Sequence, residues 1–107
     1  MLNTLSKEKK IRTKELKDYR RTLAGIKIVR AHLVQDLIFL KKHRQDCDRA
    51  SDFNAVRECH LKQNILREEL LMTEGRYKGA CAQLTFIGAQ LVRLDTLIAE
   101  QVATLES

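Results

Sequence analysis

Apolar side chains recur along the first half of the chain at alternating intervals of three and four residues. The series runs Leu2, Leu5, Lys9, Arg12, Leu16, Tyr19, Leu23, Ile26, Arg30, Leu33, Leu37, Leu40, Arg44, Cys47, and ten of its fourteen positions are apolar. The second half repeats the behaviour through Val56, Cys59, Gln63, Leu66, Leu70, Thr73, Tyr77, Ala80, Leu84, Ile87, Leu91, Leu94, Ile98, Gln101 and Leu105, with twelve of fifteen apolar. Spacing of this kind keeps one stripe of a helix facing a partner, and over more than three heptads it marks a coiled-coil seam.

Between the two runs lies Asp46-Cys47-Asp48-Arg49-Ala50-Ser51-Asp52-Phe53-Asn54, the densest cluster of turn and cap formers in the chain. Ser51 or Asp52 suits the N-cap of a second helix, where a side-chain oxygen accepts an otherwise unpaired backbone N–H. The pattern predicts an all-α fold, a long two-helix antiparallel coiled-coil hairpin spanning 1–107. Its elements are a helix over about 2–48, a turn over about 49–52 and a helix over about 53–106. At 1.5 Å per residue each arm is about 70–80 Å long. Folding at this turn opposes Cys47 to Val56, Leu33 to Leu70, Ile26 to Tyr77, Leu16 to Ile87 and Leu5 to Ile98, with Lys27 and Glu74 flanking the seam. Gly75-Arg76-Tyr77-Lys78-Gly79 is a competing turn that would give a three-helix bundle, but the heptad phase passes through it undisturbed.

Composition narrows the class further. Of 107 residues, 32% are charged and 44% hydrophobic, only 5% are aromatic, and there are four Gly and no Pro or Trp. A β-sandwich or barrel needs aromatic and β-branched strands with Gly/Pro turns, and a disordered tail would not carry this much Leu, Ile and Val. The first residues contain no apolar core of a secretory signal, and no stretch of about 18 uncharged apolar residues exists to span a membrane. Three unpaired cysteines, Cys47, Cys59 and Cys81, then suggest reduced thiols and a cytoplasmic protein with no membrane insertion.

The net charge of +6 is lopsided. Residues 1–50 hold 14 Lys/Arg against 6 Asp/Glu, whereas residues 51–107 hold 6 against 8. Lys7, Lys9, Lys10, Arg12 and Lys14 form a basic collar at the end where the termini meet, a candidate partner-binding surface. Arg30 and Arg44, in the seam, would fix its register, because polar core positions penalise misaligned pairings. Off the seam, Ile65, Met72 and Phe86 share one heptad position, with Gly79 in the missing place. They form a second candidate partner surface, since contiguous exposed apolar area commonly marks an interaction site.

Candidate chemistry is sparse. His43, Cys47, Cys59 and His60 cluster near the turn, and His43 and Cys47 have the i, i+4 spacing used by zinc sites. The folded hairpin sets the two histidines on opposite sides of the seam, so joining all four on one ion would require local unwinding. The expectation is two core thiols and two solvated histidines, with no metal and no cofactor. Phosphate loops, nucleophile elbows and paired carboxylates are absent from the sequence, which reads as a non-enzyme with no catalytic residue.

A short, basic, Pro-free chain with Tyr19-Arg20-Arg21 in its first arm and two unbroken seams from Leu2 to Leu105 resembles the central-stalk family of type III export ATPases. That family is the flagellar FliJ and injectisome YscO- or EscO-like group, similar in turn to the coiled-coil shaft of the rotary F-type ATPase γ subunit. The resemblance is architectural and transfers no functional residue by identity. It implies a non-catalytic stalk whose paired termini enter a hexameric export ATPase, promoting ring assembly and coupling hydrolysis to export, with an export gate and chaperones as further partners. Two other classes compete. A basic hairpin that binds nucleic acid is disfavoured by scarce aromatics and by basic groups that wrap around the first arm. A tether or adaptor would pair through the off-seam apolar residues.

Overall fold

The computed structural model describes residues 1–106. With no proline to interrupt the backbone ladder, α1 runs from Leu2 to Arg49 and α2 from Phe53 to Glu106, packed antiparallel as a helical hairpin. The chain forms two compact units, one comprising Met1–Ala24 with the segment from Gly79 onward and the other Gly25–Lys78.

The turn is built by backbone geometry as much as by side chains. Ser51 takes a left-handed conformation with φ of 56°. Its N–H donates to the Asp48 carbonyl at 3.0 Å, and the Asp52 N–H reaches back to the Cys47 carbonyl at 2.9 Å. This pair of bonds is a Schellman closure, which satisfies carbonyls that the end of a helix leaves without partners. Asp52 then starts α2, its Oδ1 accepting from the Ala55 N–H at 3.2 Å. Of the two candidate caps, Asp52 holds the position and Ser51 absorbs the reversal.

Among the described residues every buried side chain lies on one of the two predicted seams: Leu33 on α1, and Cys59, Gln63, Thr73, Ala80, Ile87 and Leu94 on α2. Cys59, Thr73, Ala80, Ile87 and Leu94 occupy one heptad position of α2, with half-buried Leu66 completing the series. The buried positions are concentrated on α2, and α1 contributes Leu33 alone among the described residues. Lys9, Arg30 and Leu105 are the seam positions that stay exposed.

The Gly75–Gly79 segment does not break α2. Burial of Thr73 and Ala80 on either side holds the helix across it, which offsets the poor helix propensity of glycine.

Near the turn the Sγ atoms of Cys47 and Cys59 lie within 4.8 Å of each other, and Val56 lines a pocket with Arg44, Gln45, Asp48 and His60. Helical side chains lean toward the N-terminus of their own helix, so on antiparallel arms opposed side chains reach past one another. Two expected polar roles change. Lys27 and Glu74 form no ion pair among the described residues. Arg30 sits at the seam edge with its guanidinium carbon 5.6 Å from the Tyr77 ring centroid, so it contributes a cation–π contact and not a buried register charge.

Candidate functional site

The basic collar belongs to the unit that holds the chain termini. There Gln101 Nε2 lies 3.4 Å from Met1 Sδ, which brings the residue just before α1 to the last turns of α2. The five collar residues do not behave alike. Lys7, Lys10 and Lys14 are exposed and form no ion pair among the described residues. Lys9 crosses to α2, with Nζ 2.7 Å from Asp95 Oδ1.

Arg12 is engaged along its own helix. Its Nε and Nη1 donate to Glu8 Oε1 and Glu15 Oε1, each at 3.1 Å, and Nη1 reaches Glu15 Oε2 at 3.0 Å. Hydrogen bonds to Glu15 and then Glu8 hold its pKa above the ordinary guanidinium value. Half-buried Arg12 therefore belongs to an intrahelical network, and its charge is largely compensated by two carboxylates before any partner arrives.

The free lysines are organised in a way the seam reading missed. Lys7, Lys10, Lys14, Lys17 and Arg21 recur at three–four spacing, are all exposed, and fall within about 80° of arc at 3.6 residues per turn. They form one basic row along α1, while Lys9, Arg12, Arg20, Lys27 and Arg30 lie on its other faces, so the basic groups as a whole still wrap around the helix. Beside the row, Ser6, Lys9, Lys10, Thr13, Lys14, Lys17 and Ile98 line an open groove. Lysine stems and Ile98 make its walls largely apolar, with ammonium groups at the rim, a surface able to hold a partner that is apolar at its centre and acidic at its edges. Lys17 and Ile98 were absent from the sequence-derived set. The spacing of Lys10, Lys14 and Lys17 was visible in the sequence, whereas Ile98 lies at a seam position and enters only through the folded partner arm.

Of the second expected set, Ile65 and Met72 in the Gly25–Lys78 unit are 57% and 61% exposed, and Phe86 in the other unit is 59% exposed. In the Gly25–Lys78 unit, Leu61 and Leu71 are also exposed, and Met72 borders a shallow pocket with Val29, Leu33, Glu69, Thr73 and Arg76.

Near the turn His43, Cys47 and Cys59 converge with all ligand atoms within 4.8 Å of one another and both helices intact, while both histidines are exposed and Cys59 is buried. His43 Nε2 and Cys47 Sγ are 3.7 Å apart, and the Phe39 ring lies parallel to His43 within 6°, at 6.2 Å between centroids. Loss of surrounding water raises the Cys47 pKa above its ordinary value, with Cys59, Asp52 and Asp46 adding in the same direction. His60 does not join the group; it lines a separate pocket with Arg44, Gln45, Asp48 and Val56.

No described helix is long and apolar enough to cross a membrane. No family model, curated protein or solved structure matches the chain.

Proposed function

We propose that this chain is a non-catalytic stalk that inserts its paired termini into the ring of a hexameric type III export ATPase. There it promotes ring assembly and couples hydrolysis to protein export. The observation that carries the reading is the basic row Lys7, Lys10, Lys14, Lys17 and Arg21, set on the unit where both termini meet. An acidic pore contacts such a row through many individually weak, exchangeable ion pairs, which permits one ring subunit after another to engage and release it. The architectural resemblance supplies the identity of the ring.

The test is hydrolysis by the export ATPase with and without the full chain. The expected result is a higher rate and more assembled hexamer with the wild-type chain, both lost with Lys7, Lys10 and Lys14 changed together to Glu. Unchanged hydrolysis and assembly on adding the wild-type chain would refute the stalk reading. A second reading, binding to nucleic acid, is favoured by the same row, since aligned cations match a phosphate backbone. Generic duplex binding whose affinity falls steeply and linearly on a log–log salt plot would select it.

A further inference from the structure

We propose that His43, Cys47 and Cys59 form a binding site for one zinc-class divalent cation, which ties α1 to α2 beside the turn. His43 and Cys47 stand one turn apart on the same face of α1, and Cys59 meets them from α2. With metal–sulfur bonds of about 2.3 Å and metal–nitrogen bonds of about 2.0–2.1 Å, a tetrahedral ion holds N and S about 3.6 Å apart and two S about 3.8 Å apart. The observed separation of 3.7 Å between His43 Nε2 and Cys47 Sγ is within tenths of an ångström of that edge. The remaining ligand atoms, within 4.8 Å, need only small rotamer adjustments to close.

The donor set also decides the ion. One imidazole nitrogen and two sulfurs suit a borderline-soft cation such as Zn2+ and exclude the oxygen-seeking Mg2+ and Ca2+. Cys59 is 4% exposed, Cys47 half-buried and His43 exposed, so the sulfurs form the inner side of the site. The fourth position faces outward, where a water completes the tetrahedron. The Phe39 ring stacked on His43 restricts rotation of the imidazole. Binding involves no change of oxidation state. Each thiol forms a sulfur–metal bond and releases its proton to the buffer, two protons per ion, while His43 binds through a neutral nitrogen.

The experiment uses the full chain, kept reduced, titrated first with Co2+ and then with Zn2+. Expected are a thiolate-to-cobalt charge-transfer band saturating at one ion per chain, its bleaching by Zn2+, and release of two protons in calorimetry compared between two buffers. Zn2+ should also raise the melting temperature of the wild type but not of Cys47→Ser. His43→Ala and Cys59→Ser should each weaken binding by at least about tenfold, since even outer-shell partners of a metal site are worth 10–100-fold. Cys81→Ser should bind like the wild type. Because His43 is exposed, His43→Ala keeps the helical packing and decides the matter even if Cys59→Ser loses helicity. Absence of the band, its persistence without Cys47, or wild-type affinity in His43→Ala would overturn the site.

Discussion

Arg44 on α1 donates from Nη1 to Oε1 of Gln63 on α2 at 3.3 Å, and Gln63 is 2% exposed. A glutamine so deeply covered stays in a coiled-coil seam because the arginine opposite meets its carbonyl oxygen while the arginine stem covers its flank. Arg44→Ala should therefore destabilise the hairpin by about 1–3 kcal/mol, the penalty for leaving a buried polar atom unpaired. Replacing both residues with Leu should recover most of that loss, because no polar group is then stranded. Urea midpoints of the two variants and the wild type check this. A double variant no more stable than Arg44→Ala would show that the contact does not control the layer.

The turn offers a paired prediction of opposite signs. Asp52 caps α2, so Asp52→Ala should cost about 1 kcal/mol. Ser51 occupies a left-handed conformation that glycine adopts without steric penalty, so Ser51→Gly should be neutral or stabilising by up to about 1 kcal/mol. Thermal melts of both variants read the two signs, and destabilisation by Ser51→Gly would contradict the assigned closure.

The seam was legible because a heptad repeat reports burial directly. Leu33, Cys59, Gln63, Thr73, Ala80, Ile87 and Leu94 all fall on positions found by counting threes and fours. That count is blind to everything set by the lean of side chains. It grouped His43, Cys47 and Cys59 near the turn and showed the i, i+4 spacing of the first two, but not how closely the three ligand atoms approach, which the direction of the side chains sets. It also treated charge as a tally. Lys9 and Arg12 are cationic in the sequence, but Asp95, Glu8 and Glu15 neutralise them in the fold, while the row from Lys7 to Arg21 stays free. The row itself obeys the same three–four rule as the seam and could have been found by applying that rule to basic residues.

Packing should make neighbouring positions respond very differently. Ile87 is 2% exposed, so Ile87→Ala should cost about 2–5 kcal/mol. Leu105, at the same three–four spacing but 72% exposed, should change stability by no more than about 0.5 kcal/mol on truncation to Ala. Equal effects in chemical denaturation would mean that α2 is not anchored through its Ile87 row.

Gly79 lies within α2, and a Cβ added there would meet nothing within 4 Å. Gly79→Ala should therefore stabilise the hairpin by about 0.5–1 kcal/mol through helix propensity and a less flexible unfolded chain. A lower melting temperature would instead indicate that the helix needs the freedom of glycine at this point.

Asp95 lies 2.7 Å from the Lys9 ammonium beside the basic groove, and both groups are about half exposed. An ion pair so open to water contributes at most about 1 kcal/mol, so Asp95→Asn should barely alter the melting temperature. Its electrostatic effect should be larger than its structural one, because the change removes a negative charge and releases Lys9 toward the groove. If the groove receives an acidic ring, Asp95→Asn should associate with the export ATPase faster than the wild type at low salt. Lys9→Gln should associate no faster than the wild type. The gain should vanish near 1 M salt, where the screening length shrinks to about 3 Å. Association rates across a salt series measure this directly. A gain that persists at high salt would trace the effect to altered packing and not to charge.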